Sequence, residues 1–147
     1  MGFTLANMRD RWAFVCGGSD DTEVLRTVER FSFETSKWEE LPGMHVARKH
    51  PSSTCLGNSL YVVSGSGYSH SNLNSIDRYV NGVGWTLISI NDGNTVPRLS
   101  PIISVLNNQT LVVLGGFASR PLPGHIITVD CGPNVTLSTK TVVNTNG

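Results

Sequence analysis

The chain has 147 residues, enough for one substantial hydrophobic core, and an ordinary composition of 39% hydrophobic and 15% charged residues. Eleven Lys and Arg balance eleven Asp and Glu, a flat charge that argues against nucleic acid or an anionic membrane as partner. No apolar run approaches the roughly 18 residues that cross a bilayer, and Met1-Gly2-Phe3-Thr4-Leu5-Ala6 reads as neither a secretory leader nor, with Ala6 at the sixth position, an acylation signal.

Helical periodicity is nearly absent along the chain. Short β-branched and aromatic runs, separated by Gly, Asn, Asp, Ser and Pro, predict strands throughout. The first group covers residues 3–6, 11–16, 27–34 and 37–41. The second covers 52–56, 59–64, 75–80 and 85–89. The third covers 101–106, 110–114, 125–130 and, weakest in pattern, 138–143. Residues 7–10, Gly57-Asn58 and Asn107-Asn108 join the first two strands of each group, because Gly and Asn tolerate the positive φ of tight hairpin turns. Residues 34–37 turn between the third and fourth strands of the first group.

The three groups are one repeat. Gly17-Gly18, Ser64-Gly65 and Gly115-Gly116 close the second strand of each, at spacings of 47 and 51 residues. Glu29-Arg30-Phe31 returns as Asp77-Arg78-Tyr79 after 48, Trp38 as Trp85 after 47, and Arg48 as Arg98 after 50. The third unit keeps its glycine doublet but offers only Thr128-Val129-Asp130 for the acid–basic–aromatic run, and it has no tryptophan. Four antiparallel strands in about 50 residues make a propeller blade. The expected units are 1–43, 44–92 and 93–147.

These landmarks resemble the kelch repeat. The closest stretches are Val28-Glu29-Arg30-Phe31 through Trp38-Glu39-Glu40-Leu41-Pro42-Gly43-Met44, and Ala47-Arg48 leading to Asn58-Ser59-Leu60-Tyr61-Val62-Val63-Ser64-Gly65. The resemblance implies an all-β fold of three four-stranded antiparallel kelch blades, an incomplete β-propeller. Propellers of this family close with roughly five to seven blades, whereas three leave two apolar blade faces uncovered. The expectation is therefore a segment of a longer propeller, favoured because the opening unit lacks its preceding arginine, or a half that associates with a second copy.

Chemistry-bearing motifs are weak. Gly65-Ser66-Gly67-Tyr68-Ser69-His70 starts like a dinucleotide fingerprint but lacks the third glycine and a following helix. His45 and His50 flank Arg48-Lys49, His70 and His125 stand apart, and no metal-ligand spacing occurs. Asp20-Asp21 reads as a surface turn. Cys16, Cys55 and Cys131 form no CxxC pair and suit reduced, partly buried positions in the cytoplasm. Asn108-Gln109-Thr110 and Asn134-Val135-Thr136 match a glycan acceptor by chance. No cofactor, metal or catalytic residue is expected, and no enzyme.

The resemblance further implies that the loop after each glycine doublet and the loop between blades share one partner-binding face. Here those loops span 19–26, 66–74, 117–124, 42–50 and 90–99. The expected partner-binding residues are Arg48, His50, Tyr68, His70, Arg98, Phe117 and Arg120, with Arg48 and Arg98 equally suited to bracing the loop. Tyr and Arg combine apolar area with directional hydrogen bonds. The implied function is a protein–protein interaction module, as in family members that recruit substrates to cullin-based ubiquitin ligases beside a BTB or F-box segment. Its alternatives are part of a kelch-type enzyme, a sugar mutarotase or copper oxidase with catalytic groups outside this chain, and a cytoskeleton-binding protein. Nucleic acid and membrane are not expected partners.

Overall fold

The computed structural model describes residues 1–69, 71–90, 98–117 and 126–131. It is all-β. Among the described residues, eleven strands form three antiparallel meanders, each built from consecutive neighbours and not closed into a barrel. Blade one holds β1 (Thr4–Met8), β2 (Trp12–Cys16), β3 (Val28–Ser32) and β4 (Lys37–Leu41). Blade two holds β5 (Ser52–Leu56), β6 (Ser59–Val63), β7 (Ser75–Val80) and β8 (Gly84–Ser89). Blade three holds β9 (Ile102–Leu106), β10 (Thr110–Leu114) and β11 (Ile126–Asp130). The fourth strand expected at 138–143 lies outside the described residues.

Two expectations are corrected. β1 runs on through Asn7 and Met8, and the hairpin turns instead at Arg9 and Asp10, both left-handed with φ of 49° and 54°. Asn107 and Asn108 turn the same way at 55° and 53°. In blade three the pairing sets Leu111 opposite Val129 and Val113 opposite Ile127, as Leu60 faces Tyr79 and Val62 faces Asp77 in blade two. Ile127 therefore occupies the position of Asp77, Thr128 that of Arg78 and Val129 that of Tyr79. The run expected over Thr128-Val129-Asp130 begins one residue earlier, and its acid is replaced by isoleucine.

The leading strands line up, β1 beside β5 and β5 beside β9. The Thr4 and Ser53 hydroxyls meet at 2.9 Å, and the Ser52 hydroxyl donates to the Pro101 carbonyl. Between the blades lie two apolar cores. Ala6, Met8, Phe14, Cys16, Val28, Leu41 and Met44 from blade one and its following loop pack on Leu60, Val62 and Tyr79 of blade two. Tyr61, Val63 and Ile76 of blade two, with Ile90, pack on Leu111, Val113 and Val129 of blade three. β6 is buried at every position because alternate side chains point to opposite faces of a strand, and here both faces are covered.

Candidate functional site

Strand direction alternates within each blade, so the loops after β2, β6 and β10 share an end with the loops that lead into β5 and β9. The backbone at this end repeats. Gly17, Ser64 and Gly115 hold φ of 66°, 60° and 59°, and Gly18, Gly65 and Gly116 hold 106°, 90° and 89°. Two positive-φ residues in succession turn the chain out of the strand, a conformation that glycine adopts at least cost. Glycine is also required for space: a Cβ on Gly65 would lie 2.8 Å from the Lys49 carbonyl oxygen, and one on Gly116 2.7 Å from that of Leu99.

That close approach carries a ladder of hydrogen bonds. Lys49 and Ser66 exchange amide–carbonyl bonds at 2.9 Å, and Leu99 and Phe117 do so at 2.8 Å. Between blades, the Gly18 amide donates to the Arg48 carbonyl at 2.7 Å and the Gly65 amide to that of Arg98 at 3.2 Å. The His50 amide reaches the Gly2 carbonyl at 2.6 Å, and the Ser100 amide reaches that of His50 at 2.9 Å. The loop end is thus a backbone-bonded platform.

Arg48 and Arg98 face into this platform, which corrects their expected partner-facing placement. Both side chains are enclosed. Arg48 donates from Nη1 to the carbonyls of Ser64 at 2.8 Å and Ser75 at 3.1 Å. Its Nη2 donates to the Ser75 hydroxyl at 2.9 Å and to Asp77 Oδ2 at 2.8 Å, and its Nε to the same oxygen at 3.1 Å. Burial lowers the guanidinium's proton affinity, and the Asp77 carboxylate opposes that. The other Asp77 oxygen takes the His45 amide at 3.1 Å and lies 3.1 Å from His45 Nδ1. Arg98 repeats the bracing bond, its Nη1 donating to the Gly115 carbonyl at 2.8 Å. The physical reason is geometric. An arginine one residue before the bridging pair turns back under the loop, where the inward-facing carbonyls that end the second strand need donors.

The remaining expected residues divide. His50 is exposed, with left-handed φ of 53° and its ring beside Gly2. Tyr68 is 63% exposed and Phe117 79% exposed. Phe117 occupies the repeat position of Ser66, which is buried, so blade three presents an aromatic ring where blade two has a small enclosed residue. All three belong to the loop end. His70 and Arg120 lie outside the described residues. In the first loop, Asp20 Oδ1 accepts the amides of Thr22 and Glu23, each at 2.8 Å, and the Thr22 hydroxyl at 2.9 Å. These bonds, the Thr22 amide first, hold its carboxyl below the ordinary range. Asp20 is a turn former, as expected.

Sequence reasoning missed the pairing of Asp77 with Arg48 and the addition of His45. The signal was present: a repeat-locked arginine and a repeat-locked acid within one unit are candidates to meet. Among the described residues, no group of three His, Cys, Asp or Glu side chains is placed to hold a metal ion, and no helix is long and apolar enough to cross a membrane.

Residues 14–45, from β2 through the loop that leads toward Arg48, match the family model of the Kelch motif. Blade one carries a Kelch motif. The matched stretch contains Gly17-Gly18, Glu29-Arg30-Phe31 and Trp38, whose counterparts in blade two hold the same strand positions. No curated protein matches the chain. Kelch repeats typically mediate protein–protein interactions, and the motif marks the chain in general terms as an interaction module.

Proposed function

We propose that this chain is a non-catalytic module of the cytoplasm that binds a protein partner through its loop end, with Tyr68 and Phe117 as aromatic anchors and His50 beside them. The observation that carries this reading is the contrast within the platform: the repeat arginines are consumed in bracing it, while two aromatics that occur once each stand exposed upon it. A rigid base with exposed aromatic rings keeps the ordering cost of binding low and places large apolar area at the interface. The loops carrying His70 and Arg120 extend the same end in sequence. The free thiols of Cys16, Cys55 and Cys131 agree with a reducing compartment. Recruitment of a substrate to a ubiquitin ligase is the specific form of this reading, and co-capture of a cullin tests it.

Quantitative affinity capture tests the binding face. Changing Tyr68, Phe117 and Arg120 together to Ala is expected to lose partners retained by the parent chain, whereas Val83→Ala, in the turn between β7 and β8 at the opposite end, retains them. Equal recovery by both variants would remove the loop end as the binding surface.

A further inference from the structure

Each blade of this chain has two different faces, and the two internal interfaces show how one kind meets the other. Blade one turns Met8, Phe14 and Cys16 toward blade two, which meets them with Leu60, Val62 and the Tyr79–Trp85 pair, whose ring centroids are 5.1 Å apart. The same two kinds of face recur at the ends of the arc. On blade one, Phe31 and Trp38 form the counterpart pair at 5.3 Å, but here Trp38 is 57% exposed. On blade three, register places Leu106, Val112 and Leu114 where blade one has Met8, Phe14 and Cys16. Leu106 is exposed and the other two are half-buried.

We propose that these end faces are occupied by a second copy of this chain, blade three of each copy packing on blade one of the other. The leading strands argue for this occupant in particular. The interface between blades one and two brings the first position of β1, Thr4, against the second position of β5, Ser53, hydroxyl to hydroxyl. Continuing that step across two copies brings Ile102, first in β9, against Leu5, second in β1. Ile102 is 68% and Leu5 60% exposed, so the polar pair of the internal seam is replaced by two apolar side chains suited to each other. The backbone ladder continues too. Gly2, His50 and Ser100 share one repeat position and all have positive φ, and successive members are joined amide to carbonyl. The next rung runs from the Gly2 amide of one copy to the Ser100 carbonyl of the other.

Closed propellers hold about 4–8 blades, and the three described blades of two copies together make six. With six, a two-fold axis along the propeller axis makes both seams equivalent, Leu5 on Ile102 of the second copy and Ile102 on its Leu5. This inference is independent of the loop-end reading, since its surfaces are blade faces and not loops.

Light scattering or sedimentation of the 147-residue chain is expected to give a mass twice that of one chain. Leu5→Lys alone and Ile102→Asp alone are each expected to be folded monomers, because each spoils both seams of its own homodimer. Their equimolar mixture is expected to dimerise again, since one seam becomes Lys against Asp and the other is the native Leu against Ile. Val83→Asp, on the β7–β8 turn, stays dimeric. If either charged variant loses its β-sheet circular dichroism, Leu5→Thr and Ile102→Thr, both β-branched, give the same reading as a dimer weakened by about tenfold or more. A monomeric parent chain, growth into longer polymers, or a mixture that stays monomeric overturns the proposal.

Discussion

Asp77 has no solvent exposure and pairs with Arg48, with the His45 amide and ring on its second oxygen. Taking a carboxylate and a guanidinium out of water is costly, and what remains after pairing depends on every lone pair and proton finding a partner. Here the guanidinium satisfies two carbonyls and a hydroxyl as well as the acid, so neither group can be removed alone without leaving the other buried. Arg48→Met and Asp77→Ala are each expected to lower unfolding free energy by about 3–5 kcal/mol. The double variant Arg48→Met/Asp77→Leu is expected to lose less than the sum of the two, as measured by urea unfolding of all three. An additive double variant would show that the two groups do not act together. The sequence marked both residues by their shared period but carried no information on which way Arg48 points. A residue at a fixed repeat position can serve solvent or core equally, and only the inward carbonyls of Ser64 and Ser75 decide it.

Burial also raises the proton affinity of the buried neutral acids. Burial pushes the Cys55 thiol and, with help from Cys131, the Tyr61 hydroxyl each up to about 12, and raises Cys16 further. Their ordinary values are 9.0 for the thiols and 10.0 for tyrosine. Between these values and about 12 the unfolded chain sheds protons that the folded chain keeps, so stability falls as pH rises. It is fully present below about pH 9 and declines toward pH 12. Urea midpoints measured across that window are expected to drop steadily, and less steeply in Cys55→Ala. A flat profile through pH 11 would contradict the burial of these groups.

Among the strands, β6 shows why a blade in the interior of an arc reads differently from a half-exposed hairpin. Its run Ser59-Leu60-Tyr61-Val62-Val63 lacks the polar alternation of an ordinary antiparallel strand because both faces are cores. Leu60 and Val62 serve the seam with blade one, Tyr61 and Val63 the seam with blade three. Leu60→Ala is expected to cost about 2–5 kcal/mol, whereas Leu87→Ala, on the outermost strand and exposed, changes stability by about 0.5 kcal/mol or less. Gly65→Ala is expected to destabilise as well, because a Cβ must displace the Lys49 carbonyl at a backbone φ of 90°. Thermal unfolding of the three variants ranks them. Most strands were legible because their hydrophobic runs and turn residues sit on a strict period, and β4, β5, β7 and β10 have the expected bounds. The end of β1 was not, since Arg9 and Asp10 adopt left-handed turns that chain pattern reserves for Gly and Asn. Nor was the register of β11, because the stretch between its paired positions is one residue shorter than in blade two, and sequence spacing alone cannot say where pairing resumes.

In an array of repeats each unit touches only its neighbours, so stability is a sum of unit and seam contributions. Blade two shares a seam with both other blades, blade one and blade three with one each among the described residues. The backbone ladder at the loop end reinforces this asymmetry, since the loop before blade two is bonded both to Gly18 behind it and, through His50, to Ser100 ahead. In the monomeric Leu5→Lys variant, whose end blades have no partner copy, opening blade two therefore breaks both seams, whereas opening either end breaks one. Amides of β6 and β7 are expected to exchange slowest with solvent deuterium, with β2 and β10 intermediate and the outermost β4 and β8 fastest. Hydrogen exchange read by mass spectrometry, strand by strand, distinguishes this from a single cooperative unit. In that case all three blades would exchange at one rate set by global unfolding, and substitutions at Leu60 and Val113 would accelerate every strand equally. Graded exchange, with Leu60→Ala releasing blade one and Val113→Ala releasing blade three, is the outcome that two separate seams require.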